Sequence, residues 1–295
     1  MVIFLIFLKI SDILFFKFIG LGNSLIYRHS KIYGYDIQPN QNIKRRGKIV
    51  TINESGMRSL KSWSKDYDKK ILFIGDSVTF GGSLVNDQDI FTEKICNKIL
   101  DINVVCGNYA VNGFGIEAIN KRIKYRNFSD EDLIIVTVIG NDFERGFNQL
   151  GFQPYYTKKT SNFFPALTEL VFLILDRIRI KIKYDFKNIS EAKDVFEKYK
   201  FDETANLIKT LNQTKKEYYV FYSPEIGEIE GQIDYSTIKK ILRKEIKNFY
   251  DLTDEVKKYK KKVFYDGVHL TEFGHELYAN AIFNIINSKL NFQSK

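Results

Sequence analysis

The sequence predicts an α/β protein built on a doubly wound parallel sheet. The first observation is a rhythm: short apolar runs at 71–74, 102–106, 133–139, 218–222 and 249–252 alternate with stretches of helical character. Those stretches lie at 90–100, 116–125, 201–211 and 235–249, and 271–289 closes the chain. Runs that are apolar at successive positions mark strands buried on both faces, the condition of a parallel sheet covered by helices on each side. The second observation is capacity, because 295 residues of which 44% are apolar can bury one substantial core. The third is punctuation: Gly75, Asn108 and Gly140 open polar turns after three of the runs, at what would be the carboxyl edge of the sheet.

At the amino end, residues 1–23 read as an apolar helix, although 2–22 carries Lys9, Asp12 and Lys17. A helix that spans a bilayer avoids such charges. On a helical wheel the three fall within an arc of roughly 140°, the pattern of a helix lying in a membrane interface or packed on a partner. Both readings stand. No basic leader or small-residue cleavage site marks a cleaved signal peptide. If the segment does span, Arg28, Lys31, Lys44, Arg45, Arg46 and Lys48 behind it would hold the rest in the cytoplasm. The expected location is therefore membrane-associated or cytoplasmic.

Residues 24–68 form a polar lead-in with one short strand at 48–53, and the α/β alternation occupies 69–290. Between the third and fourth apolar runs, 145–200 is an insertion with an amphipathic run at 166–182 after Pro165. It reads either as a lid over the carboxyl edge of the sheet or as a surface helical pair.

Charge excludes some functions. The net charge of +9 would admit an anionic partner. Its lysines and arginines are interspersed with acids, and no basic run is interleaved with aromatics as a nucleic-acid binder requires, so no nucleic acid is expected. The densest run, 257–262, reads as a helix end. Cys96 and Cys106 lack the spacing and neighbouring histidines of a zinc site and read as small buried hydrophobes. The loop 75–83 is glycine-rich but offers no lysine for a phosphate, and no GxGxxG follows any strand.

Four turns carry chemistry. Gly75-Asp76-Ser77 follows the first apolar run, so the Ser77 hydroxyl would stand at the sheet edge with its N–H near a helix start. Alone, the tripeptide reads equally well as a helix cap. Asp266-Gly267-Val268-His269 precedes a helix that Thr271 would cap, and its spacing lets Asp266 hold one ring nitrogen of His269 while the other faces outward. A serine hydroxyl needs such a base, and the base needs such a carboxylate. Asn112-Gly113 and Gly140-Asn141-Asp142 follow two further strands. Ser77 N–H, Gly113 N–H and the Asn141 amide would supply an oxyanion hole. His275 reads as structural, and His29 as exposed.

In that order the blocks at Ser77, Gly113, Asn141 and Asp266/His269 resemble the SGNH (GDSL-like) hydrolase family. The resemblance covers roughly 69–290, with Val78 in place of the GDSL leucine and Ile139 where the family often has glycine. It implies a flavodoxin-like three-layer α/β/α sandwich around a central parallel five-stranded sheet. It also implies a Ser77–His269–Asp266 triad that cleaves ester-linked acyl groups, without metal or cofactor, from a small-molecule or carbohydrate ester. The alternatives are an O-acyltransferase acting on surface polysaccharide and a non-catalytic carbohydrate-binding or scaffold protein.

Overall fold

The computed structural model describes residues 2–100, 102–126, 131–145, 163–179 and 193–290. An apolar helix α1 (Val2–Leu14) continues into a π-helical turn, Phe15–Ile19, and stops at Gly20 in the left-handed conformation. Two antiparallel hairpins follow, β1 (Tyr27–Ser30) with β2 (Gly34–Ile37), and β3 (Gln41–Arg45) with β4 (Lys48–Ile52). Then the α/β alternation starts: β5 (Lys69–Ile74), α2 (Ser77–Phe80), α3 (Phe91–Cys96), β6 (Val104–Asn108), α4 (Ile116–Lys124), β7 (Leu133–Ile139). It continues through α5 (Pro165–Arg179), α6 (Lys193–Gln213), β8 (Glu217–Ser223), α7 (Ile226–Ile229), α8 (Ser236–Glu245), β9 (Phe249–Asp251), α9 (Thr253–Lys257) and α10 (Glu272–Leu290).

The five strands from β5 onward form one sheet in the order β6-β5-β7-β8-β9, with every pair parallel. Each strand alternates its side chains between two cores. Leu72, Ile74, Ile134, Val136, Val138, Val220 and Tyr222 face one side, where α4, α6 and α8 bring Ile119, Ile123, Leu207, Leu211, Ile238 and Leu242. Ile71, Phe73, Leu133, Ile135, Tyr219 and Phe221 face the other, where α3, α9 and α10 bring Phe91, Ile95, Val256, Ile282, Phe283 and Ile286. Three layers result. With both faces dry, each fully buried Leu, Ile or Phe contributes about 1.5–3 kcal/mol.

The order of strands positions the site. From β5 the chain crosses to β6 on one side and then to β7 on the other, so the loops leaving β6 and β7 diverge and open a crevice at the carboxyl end of β5.

Several elements differ from the sequence expectation. The lead-in holds four strands rather than one. Three of them escape because strands of four or five residues rich in Arg, Asn and Asp carry little periodicity. The helix expected to run to 249 stops at Glu245, where Ile246 turns extended to feed β9. The strand expected at 102–106 runs instead from Val104 to Asn108. The amphipathic run is helical over Pro165–Arg179, whereas 146–162 and 180–192 of the insertion lie outside the described residues.

Asp12 departs most. Rather than sharing a polar face with Lys9 and Lys17, it is buried, and its Oδ1 accepts from Ala166 and Leu167 N–H at 2.8 and 2.9 Å. It therefore caps α5, satisfying two N–H groups that would otherwise lack partners. Lys9 donates to the Phe163 carbonyl beside it.

The lead-in is locked to the sheet through Arg58, which is fully buried. Its Nε meets Asp87 Oδ1 at 2.9 Å, while Nη1 donates to the carbonyls of Phe80 and Gly82 and Nη2 to that of Val85. Its backbone bridges Ile52 and Asn108, so one residue ties the second hairpin, β6 and the loop after α2 together. Arg58→Met leaves Asp87 and three carbonyls unpaired in a dry site. Denaturant unfolding should show a loss of about 3–5 kcal/mol. A loss under about 1 kcal/mol, within the range of surface substitutions, would contradict this role.

Candidate active site

β5 delivers its last residues into the crevice. A Cβ on Gly75 would lie 2.7 Å from the Thr137 carbonyl and closer still to Thr79 Oγ1, so the tight passage from β5 to α2 requires glycine. Asp76 then caps α2 by accepting from Val78 N–H at 2.8 Å. Ser77 is the first residue of α2 and is half-buried, with its Oγ turned into the crevice. The capping role weighed for this turn thus belongs to Asp76, whose Oδ2 also lies 3.4 Å from Ser77 Oγ, a long contact beside a second partner of the hydroxyl.

That partner comes from the loop before α10. His269 Nε2 lies 2.9 Å from Ser77 Oγ, and His269 Nδ1 lies 2.7 Å from Asp266 Oδ2. The other carboxylate oxygen of Asp266 accepts the backbone N–H groups of His269 and Val268 at 2.9 and 3.2 Å. Gly267, at φ +100°, supplies the left-handed turn between acid and base, and its carbonyl accepts from Ile226 N–H at 2.8 Å. Tyr265 N–H donates to the His269 carbonyl at 2.7 Å, and Thr271 Oγ1 accepts from Gly274 N–H at 3.1 Å to cap α10. The ring is therefore held from both sides of its loop.

Burial alone would raise the Asp266 pKa, but the ring and the two N–H groups outweigh it and hold the carboxyl down at about 2. Desolvation likewise disfavours a charged His269, but the Asp266 hydrogen bond and charge, joined by Asp76, lift its pKa above the ordinary value. Arg145 opposes that rise. The arrangement can take a proton from a hydroxyl and hold it on a stabilised imidazolium.

The remaining predicted donors are placed differently from one another. Gly113 (φ +79°) lines the same cavity as Ser77, and neither N–H finds an acceptor among the described residues. The loop carrying Gly113 is braced by the first hairpin: Tyr35 Oη donates to the Asn112 carbonyl at 2.7 Å, and Asn112 Nδ2 donates to Tyr27 Oη at 3.1 Å. Asn141 follows β7 at the same sheet edge. Its N–H is taken by Glu225 Oε1 at 3.0 Å, its side chain is exposed, and it is not among the residues lining the cavity.

Sequence reasoning missed two features. The first is a buried acidic group under the site. Desolvation raises the pKa of Asp76, Asp142 and Glu225, and their mutual charge adds to the rise in Asp142 and Glu225. The second is Arg145, which lines the cavity, donates to the Phe114 carbonyl at 3.0 Å and lowers the pKa of both Asp76 and His269. Neither the acids nor the arginine stands at a spacing that announces a partner, since they meet only through the sheet edge.

His275 is buried, stacks on Phe91 at 5.9 Å between ring centres and accepts from Phe91 N–H at 3.2 Å. Desolvation, with Arg58 and Lys94 nearby, pushes its pKa down to about 3. Cys96 and Cys106 are buried thiols, and His29 is exposed. Among the described residues no group of three or more His, Cys, Asp or Glu could hold a metal ion.

The cavity has a volume of about 430 Å³. Besides the residues above, Ser24, Leu25, Tyr27, Arg45 and Arg46 of the lead-in line it, so this extension forms one wall of the site.

The two buried environments predict opposite titrations. In imidazole NMR spectra the His269 signals should titrate above the ordinary histidine value and move down in Asp266→Asn. His275 should stay neutral until the pH nears 3. Coincident titration of the two rings would contradict the geometry.

The sequence model of the GDSL-like Lipase/Acylhydrolase family matches residues 71–282. No curated protein matches the chain. Among solved structures, it is similar to a lipolytic protein of the G-D-S-L family from Veillonella parvula, at 15% identity and a TM-score of 0.47, covering 74% of this chain and 98% of that one. An acetyl xylan esterase from the rumen bacterium Butyrivibrio proteoclasticus is similar at 12% identity and a TM-score of 0.43, covering 78% of this chain and 66% of that one. A two-domain esterase active on acetylated mannans is similar at 11% identity and a TM-score of 0.45, covering 75% of this chain and 49% of that one.

Proposed function

The chain belongs to the GDSL-like lipase/acylhydrolase family and is an ester-bond hydrolase, and from that premise we propose that it works through a Ser77–His269–Asp266 triad and an acyl-enzyme intermediate. The observation that carries this reading is the unbroken hydrogen-bond chain from Asp266 through His269 to Ser77. As Ser77 Oγ attacks the ester carbonyl, its proton passes to His269 Nε2, and Asp266 stabilises the imidazolium. The tetrahedral oxyanion receives the N–H groups of Ser77 and Gly113, with the Asn141 amide as third donor once its exposed side chain turns inward. Collapse expels the alcohol, which takes the proton from His269. Water then attacks the acyl-serine by the same route, giving the acid and free Ser77. Short acyl groups, O-acetyl on carbohydrate among them, suit a cavity of about 430 Å³.

The pH dependence follows from the raised His269 pKa. The base must be neutral, so kcat/KM should fall as pH drops through an apparent pKa above 6.5, while Asp266, at about 2, stays ionised throughout. A fluorophosphonate probe should label Ser77, and His269→Ala should lower kcat for an aryl acetate by roughly 10⁴-fold or more. Folded protein that neither labels nor cleaves the ester would refute the reading. Acetyl transfer to a glycan acceptor in preference to water would convert it to an acyltransferase.

In this proposal residues 2–19 serve as a membrane-surface anchor. Among the described residues no helix is long and apolar enough to cross a membrane. Yet Ile3 is 83% exposed, Phe4, Phe7 and Phe18 are more than half exposed, and Phe172 of the adjoining α5 is 61% exposed. An apolar surface of that extent, with Lys17 exposed on it and a chain carrying +9, suits the headgroup layer of an anionic bilayer. The full chain should co-sediment with phosphatidylglycerol-containing vesicles, and Phe4→Asp/Phe7→Asp should release it. Equal sedimentation with and without vesicles would contradict the anchor.

A further inference from the structure

We propose that the cavity beside Ser77 selects an ester bearing a negatively charged oxyanion substituent, a carboxylate, phosphate or sulfate, received by Arg145 and Arg46. The inference rests on the serine-esterase reading and specifies its substrate class.

Three arginines line this one cavity, and their charges are unequally used. Arg45 is committed to structure: Nη1 donates to the Asn23 carbonyl at 2.6 Å, and its two Nη groups meet Glu169 at 2.9 and 3.2 Å. Arg46 shares the same carboxylate through Nε at 2.9 Å. One carboxylate facing two guanidiniums leaves a positive charge in excess, and both Nη groups of Arg46 remain without a partner among the described residues. Arg46 sits at φ +48° in the hairpin turn before Gly47, a costly conformation for a long side chain. That turn delivers its guanidinium to the cavity wall.

Arg145 lies on the wall with Ser77. It donates to the Phe114 carbonyl, and among the described residues no carboxylate lies within ion-pair distance. The acids nearest it in charge, Asp76 and Asp142, are buried beneath the site and do not line the cavity. Asp266 is the one acid among the lining residues, and it is spent on His269. The cavity therefore presents an excess of guanidinium beside the nucleophile.

Arg145 is half-buried, and a guanidinium partly withheld from bulk water costs free energy unless a counter-charge meets it, whereas Arg46 is exposed and offers its Nη groups from the rim. The planar guanidinium fork matches the paired oxygens of a carboxylate, phosphate or sulfate. A neutral ester would leave both forks unanswered, whereas one with an anionic group near the carbonyl would answer one or both.

The test uses the full-length chain and two pairs of esters, each with one charged and one neutral member. For charge on the alcohol side, para-acetoxybenzoate is compared with para-acetoxybenzamide. For charge on the acyl side, phenyl hemisuccinate is compared with phenyl butyrate. Each kcat/KM is divided by the ester's own alkaline hydrolysis rate. Wild type should favour the charged member of at least one pair by about tenfold, mainly through KM, a ratio expected of one partly exposed charge-assisted contact. Added salt should shrink the ratio. Arg145→Gln and Arg46→Gln should each bring it toward one. As a check independent of variant folding, inorganic sulfate should compete with phenyl butyrate on the wild type.

A wild-type ratio near one in both pairs, or a preference that survives both substitutions, would overturn the anionic substrate class while leaving the esterase reading intact. Failure to hydrolyse any of the four esters, with Ser77 unlabelled by fluorophosphonate, would overturn the parent reading and this inference with it.

Discussion

The parallel pairing of β5 with β6 on one side and β7 on the other is the constraint on which the molecule depends. Because the chain leaves β5 for one neighbour and returns to it for the other, the loops after the two flanking strands part, and a crevice opens above Ile74. Around that opening stand Ser77 at the end of β5, Gly113 after β6 and Arg145 after β7, with Asn141 at the same sheet edge but off the cavity. His269 and Asp266 enter from much later in the sequence, on the loop that feeds α10, which packs on the opposite face of the sheet from α4, α6 and α8. No local interaction brings residue 269 to residue 77. The sheet does, and the core on each face fixes it.

Electrostatics then divides the site into two depths. Below the surface Asp76, Asp142 and Glu225 sit where desolvation works against ionisation. Asp76 caps α2, Asp142 accepts from Ile139 N–H at 3.0 Å, and Glu225 accepts from Asn141 N–H, so each of these carboxyls shapes one of the turns that surround the serine. Above them the charges are reversed, with arginines from the lead-in and from the β7 loop facing the cavity. The lead-in is thus a wall of the site as well as a tether: its tyrosines hold the Gly113 loop and its hairpin turn carries Arg46. Through Glu169, α5 joins the same wall, and through Asp12 it joins α1, so the exposed apolar helices and the cavity are parts of one connected structure.

The sheet was legible because both of its faces are dry, which writes the buried parts of β5, β7 and β8 as near-continuous apolar runs. Ser77, His269 and Asp266 were legible for a related reason: side chains that face a crevice must leave the core, so they stand at turns where serine, histidine and aspartate interrupt the apolar pattern. Arg145 and Arg46 were not. Arginines are common on surfaces, and only the folded crevice distinguishes one that faces a cavity from one that faces water. Asp12 misled for a similar reason, since a helical wheel assigns it to a polar face when its actual partner is the start of a helix more than 150 positions later. The hairpins of the lead-in were hidden by shortness, and the pairing of Arg28, Asp36 and Arg122 that helps hold the first of them is a tertiary contact with no trace in local pattern.

If an acyl group passes through Ser77, quenching the enzyme during turnover of an aryl acetate and mapping the acetyl adduct by mass spectrometry should place acetyl on the peptide containing Ser77, appearing before steady state and disappearing once substrate is exhausted. Steady turnover with no adduct on that peptide, or an adduct on another residue formed at the rate of turnover, would contradict it.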